Sequence, residues 1–172
     1  EVIAFLLSKG VGILAHDVGV GKTLSAIVTN AELLQRGWAK KPLIVVPSIS
    51  VYNQWFNEIQ AVIPDVKINL LGNLGGDFHG DINNLSIEEG TLSLITVDGF
   101  KKLGFTEETY AELTEDVTDA VDKKKGGITK RQSELDKAKQ EEFVGKGMKG
   151  TKSDLFFEDL GFDYITYDEL QN

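Results

Sequence analysis

Apolar positions along this chain alternate between short continuous runs and helical spacings. Val2, Ile3, Phe5, Leu6 and Leu7 form an amphipathic opening segment. Val11, Ile13, Leu14 and Ala15 make an apolar run suited to a buried strand. Beyond a turn at Asp17 to Gly21, Leu24, Ile27, Val28, Ala31 and Leu34 recur at helical spacing, with Gly37 as the stop. Leu43 to Val46 is a continuous run rich in β-branched residues, ended by Pro47, and predicts a strand buried on both faces. Ser48 or Ser50 can then cap a helix carrying Val51, Trp55, Ile59 and Val62 on one side. Pro64-Asp65 breaks to a third strand over Val66 to Leu71, and Leu92 to Val97 predicts a fourth. The Gly, Asn and Asp residues between 72 and 91 predict a loop, and a short helix follows around Thr106 to Leu113. Leu155 to Leu160 reads as a helical turn ended by Gly161. Phe162 to Tyr167 reads as a last strand, with Asp168-Glu169 at its carboxyl end. Strands alternating with helices predict an α/β fold with a mainly parallel sheet flanked by helices.

One region breaks the rhythm. Asp122 to Lys152 carries many charges of both signs and few large apolar residues. We therefore expect one lobe built from residues 1–115 and 154–172, interrupted at 116–153 by a charged insertion that is helical or partly disordered. Thr129 to Phe143 suits an exposed helix with charge pairs such as Glu134 to Lys137. A solvated linker without function is the equal alternative.

Composition narrows the function classes. The 172 residues suffice for one domain with a real core. Both ends fall in mid-pattern, so we expect a piece of a longer protein. There is no cysteine and there are two histidines, far apart, which excludes thiolate catalysis and makes a structural zinc site implausible. The excess of 27 acidic over 18 basic side chains argues against a broad basic face for nucleic acid, though not against a narrow contact track. No run reaches membrane-spanning length and no signal peptide is visible, so a cytoplasmic setting is expected.

The chemistry concentrates at two places. Residues 12 to 23 read strand, glycine turn, then helix N-terminus, the arrangement of a phosphate-binding loop. Backbone N–H groups of Val18, Gly19, Val20, Gly21, Lys22 and Thr23 would converge on a nucleotide polyphosphate. Lys22 would neutralise the β- and γ-phosphates and the Thr23 hydroxyl would ligate Mg²⁺. His16 stands where the strict motif has its first glycine and reads as a packing or turn residue. A glycine turn that merely ends in Gly-Lys-Thr is the plain alternative. At the other end of the chain, Asp168 would hold Mg²⁺ through water and Glu169 would orient the water attacking the γ-phosphate. Surface acids commonly follow strands, so this pair gains its weight from the upstream loop.

His16 to Thr23, Val45-Val46-Pro47 with Gln54-Trp55 and Glu58, the strand at Ile95-Thr96, and Tyr167-Asp168-Glu169 resemble the first RecA-like lobe of superfamily-two helicases, within them the Swi/Snf-type ATPases. Leu14 to Thr23, Lys40 to Pro47 and Phe157 to Asp163 in turn resemble the helicase segment of large phage and mobile-element proteins that often carry an adenine DNA methyltransferase domain. The resemblance implies a RecA-like P-loop NTPase using ATP and Mg²⁺, and an ATP-driven translocase on duplex DNA in a bacterial or phage-infected cell. A second RecA-like lobe elsewhere in the parent chain would supply an arginine finger, so this lobe alone would hydrolyse ATP poorly; the upstream adenine-recognition segment is also expected outside it. Catalysis would rest on Lys22, Asp168 and Glu169, and Pro47-Ser48 would touch the DNA backbone. Trp55 reads as a helix anchor in the core. Where the family has Asp-Glu-Ala-His, this chain has Asp168-Glu169-Leu170-Gln171, which implies altered coupling to the second lobe. Two other readings stand beside this one: a P-loop motor of a restriction or packaging system, and a degenerate nucleotide-binding scaffold.

Overall fold

Leu43 to Val46 is apolar at every position, and the sheet shows why. The computed structural model describes residues 2–13, 21–74, 85–106, 108–109, 112 and 155–169. Within them β1 (Pro42–Val46), β2 (Ile68–Gly72), β3 (Leu92–Thr96) and β4 (Tyr164–Tyr167) form a four-stranded sheet in the order β2-β3-β1-β4. Every pairing is parallel. Central strands β1 and β3 are buried at all positions, whereas β2 and β4 lie at the edges and are only partly buried. A strand covered on both faces needs apolar residues on both, so it reads as a continuous run.

The described helices include α1 (Val2–Lys9), α2 (Lys22–Gln35), α3 (Ile49–Val62), the single turn α4 (Val97–Phe100) and the single turn α5 (Phe157–Leu160). Ile27 of α2 and Tyr52, Trp55 and Ile59 of α3 bury against Ile44, Val46, Leu92 and Leu94 on one face of the sheet. The opposite face presents Leu43, Val45 and Ile95, also fully buried. Gly37, at φ 67, ends α2 as expected. Its N–H donates to Leu34 O at 3.0 Å and that of Trp38 to Leu33 O at 2.9 Å, the paired bonds of a glycine-terminated helix. Asp163, just before β4, accepts from the backbone N–H groups of Lys40 at 2.6 Å and Lys41 at 2.9 Å, which ties the entry of β4 to that of β1.

The chain divides into two units. The first comprises Glu1–Phe100 and Gly161–Asn172 and contains the whole sheet; the second is Lys101–Leu160. In the second, Gly104 and Phe156 form a parallel bridge, Phe105 packs on Phe157 with ring centroids 5.7 Å apart, and Glu158 accepts from the N–H and hydroxyl of Thr106. The stretch 116–153, expected as a charged insertion, lies outside the described residues.

Several expectations need correction. Val11 and Ile13 are not in a strand and are each 79 % exposed. Gly10, at φ 73, ends α1, and Gly12 follows two residues later; glycine weakens strand pairing, so the apolar residues beside them form an irregular segment. Leu14 and Ala15 lie outside the described residues. On α3 the burying face includes Tyr52, which the pattern did not assign, while Val62 at the last turn is exposed. Ser48 is the N-cap residue, but its hydroxyl bonds Ser50 Oγ rather than an N–H of the helix.

Candidate active site

In a parallel sheet the carboxyl ends of the strands share one edge, and helix N-termini open there. Here Lys22 begins α2 directly after Gly21, whose φ of 81° and ψ of 29° lie in the left-handed region. A Cβ at Gly21 would meet nothing within 4 Å, so glycine is required there by backbone conformation rather than by space. The N-cap residue of α2 is Gly21, which has no side chain to cap the helix. The N–H groups of a helix's first turn have no acceptor within the helix, and the helix dipole favours an anion there.

Asp168-Glu169 closes β4, at the same edge. The Asp168 N–H donates to Val45 O at 2.9 Å, extending the β1–β4 ladder by one residue. Glu169 has a φ of 55°, unusual for a residue with a Cβ. Such a backbone costs of order 1–3 kcal/mol and persists where surrounding structure holds it.

Lys22, Thr23, Asp168 and Glu169 line one cavity of about 440 Å³, with Leu6, Val11 and Ile13 among its apolar walls. Residues at opposite ends of the chain are thus brought together. The oxygens of Thr23, Asp168 and Glu169 are hard donors and can hold a hydrated Mg²⁺ beside a phosphate. Among the described residues no group of three or more His, Cys, Asp or Glu forms a metal cage. Val18, Gly19 and Val20, like His16 and Gln171, lie outside the described residues. Pro47 and Ser48 sit half-buried after β1 and are not part of the cavity wall.

Two features of the site were not legible as such. Asn30, fully buried on α2, donates from Nδ2 to Ala26 O at 2.9 Å and to Thr166 Oγ1 at 2.8 Å. It links the helix that begins at Lys22 to the strand that leads into Asp168. A polar residue at a helical position otherwise facing the core was the available signal. Trp55, 2 % exposed, is the core anchor expected, but its indole N–H also donates to Asp168 Oδ2 at 3.0 Å. Nothing in spacing alone pairs a residue of α3 with the end of β4.

Similarity to known proteins places this architecture. The chain is 43% identical over 67 residues to the chromatin-remodeling ATPase INO80 of Eremothecium gossypii, covering 38% of this chain and 5% of that protein. It is 30% identical over 95 residues to the human lymphoid-specific helicase, covering 55% and 11% respectively. It is 47% identical over 61 residues to the uncharacterized ATP-dependent helicase YqhH of Bacillus subtilis, covering 34% and 11%. The chain thus spans a small part of each relative. No solved structure matches it. Among the described residues no helix is long and apolar enough to cross a membrane. Residues 7–170 match the family described as "Type III restriction enzyme, res subunit", and the chain belongs to that family, with the parallel α/β fold of a helicase-type, ATP-binding motor domain.

Proposed function

We propose that this chain is the first motor lobe of a DNA-dependent ATPase, a helicase or translocase that hydrolyses ATP with Mg²⁺ when joined to a second RecA-like lobe. The observation that carries the reading is the meeting of Lys22 and Thr23 with Asp168 and Glu169 on one cavity. Lys22 would hold the β- and γ-phosphates and the first turn of α2 would receive their remaining charge. The Thr23 hydroxyl and, through water, the Asp168 carboxylate would hold the cation. A cation held there by Thr23 and Asp168 would supply positive charge that offsets the charge developing on the phosphate. Glu169 would position the attacking water.

Duplex DNA as partner, backbone contact at Pro47 and Ser48, and an arginine finger from a second lobe belong to this proposal, supported by the helicase and remodeling ATPases among the relatives. The narrower likeness to phage and mobile-element proteins, with a fused methyltransferase and a bacterial or phage-infected host, rests on the sequence phrases at Lys40 to Pro47 and Phe157 to Asp163. The test is ATP hydrolysis by the full-length protein with and without duplex DNA. The expected result is DNA-stimulated turnover that falls about 10²–10⁴-fold in Glu169→Gln, the range for a lost acid–base or water-positioning group. Turnover indifferent to DNA would refute the translocase reading.

A further inference from the structure

We infer that Trp55 is a positioning residue for the Asp168 carboxylate, fixing it for the cation; this rests on the reading of Asp168 as the Mg²⁺ acid. An indole N–H can only donate, and a buried one needs an acceptor. On α3 that acceptor is not a nearby carbonyl. The N–H reaches Asp168 Oδ2 at 3.0 Å, 113 residues along the chain, from a ring that is 2 % exposed. Trp55 and Asp168 also line the same cavity as Lys22 and Thr23. Asp168 is therefore held twice, its backbone by the N–H that donates to Val45 O and its carboxylate by the indole N–H that donates to Oδ2. Its rotation is restricted and Oδ1 is left to accept from a metal-bound water.

The choice of donor matters. A lysine or arginine at this place would neutralise Asp168 and compete with a divalent cation. A neutral donor orients the carboxylate and leaves its full charge. The ring supplies the rigidity, because its body is packed in the core with Ile44, Val46 and Leu94. Partners that orient a metal-holding group commonly change metal affinity by 10–100-fold when removed.

The test uses Trp55→Phe, which keeps an aromatic ring in the core and removes only the N–H and the second ring. Binding of ADP is measured without Mg²⁺ and across a Mg²⁺ titration. The expected result is a Mg²⁺ half-saturation raised about 10-fold with unchanged Mg²⁺-free ADP affinity. Wild-type Mg²⁺ dependence in Trp55→Phe, alongside its loss in Asp168→Asn, would reduce Trp55 to a core anchor and overturn the proposal. Unchanged Mg²⁺ dependence in Asp168→Asn would instead remove the reading of Asp168 on which it rests. A spectroscopic measurement decides the matter if Trp55→Phe fails to fold. The chain has two tryptophans, so a ¹⁵N-labelled sample shows two indole N–H resonances, and Trp38→Phe assigns them. The Trp55 resonance should shift in Asp168→Asn, and in wild type on adding Mg²⁺ with ADP but not ADP alone. A resonance indifferent to both changes would overturn the proposal.

Discussion

Gly21 and Gly37 bracket α2 and offer a matched pair of perturbations. Both sit at positive φ, 81° and 67°, and a Cβ at either would meet nothing within 4 Å. Alanine at each position therefore carries the left-handed penalty alone, roughly 1–2 kcal/mol, without a steric clash. For a chain of this size each kcal/mol moves Tm by about 2–4 °C, so Gly37→Ala should lower Tm by about 2–8 °C and leave nucleotide affinity alone. At Gly21 the same penalty has two places to fall. If the backbone keeps its conformation, folding bears the loss and Tm drops by the same amount. If the loop relaxes into an ordinary conformation, Tm is spared but the loop must return to the left-handed state to bind. Nucleotide affinity then falls by about 5- to 30-fold, the same 1–2 kcal/mol expressed as a dissociation constant. The sum of the two losses at Gly21 should equal the single loss at Gly37. Thermal unfolding and calorimetric titration with ADP measure both. A Gly21→Ala protein unchanged in both readouts would refute the left-handed entry to α2. A Gly37→Ala protein that binds as weakly as Gly21→Ala would refute the placement of the site at the helix start.

Other perturbations probe the supports of the site. A double-mutant cycle on Asn30→Ala and Thr166→Val should give a coupling of about 0.5–1.5 kcal/mol by denaturant unfolding, because Asn30 Nδ2 donates directly to Thr166 Oγ1; zero coupling would remove that link between α2 and β4. Gly99→Ala should destabilise the chain by about 1–3 kcal/mol, since the added Cβ would lie 2.4 Å from the Gly72 carbonyl oxygen; a neutral effect would place that backbone crossing elsewhere. Burial pushes the Tyr52 phenol above the usual tyrosine range, against the smaller lowering effect of the Gly72 N–H that it accepts. A folded-state pKa raised in this way gives stability that is complete below the unfolded value of about 10 and declines as pH rises from there through the folded value. Tyr52→Phe should flatten that alkaline decline in unfolding free energy, and an unchanged slope would assign it to other groups.

Much of this architecture could be read from the chain because it is written in local rules. β1 is a continuous apolar run since both of its faces are covered, and β3, covered in the same way, buries Ser93 and Thr96 among its apolar residues. Gly37 had to be glycine to close α2, and Asp168-Glu169 had to follow a strand to share an edge with Lys22. The failures come from tertiary context. Val11 and Ile13 look like strand residues, yet flanking Gly10 and Gly12 leave them exposed on the wall of the cavity. Tyr52 takes a core place because its hydroxyl finds the Gly72 N–H, which hydrophobic periodicity does not count. The bonds from Trp55 to Asp168, and from Asn30 to Thr166, join residues more than a hundred positions apart, so no local pattern announces them.

The two ends of the chain are proposed to make one ATP–Mg²⁺ site. Affinity for the slowly hydrolysed analogue ATPγS, measured with and without Mg²⁺ in Lys22→Ala and Asp168→Asn, tests it most directly. Lys22→Ala should weaken binding under both conditions, because it removes a phosphate contact that needs no cation. Asp168→Asn should bind as wild type without Mg²⁺ and lose the extra affinity that Mg²⁺ confers. Full Mg²⁺-dependent affinity in Asp168→Asn would contradict the account, since the acid at the end of β4 would then have no part in the site at the start of α2.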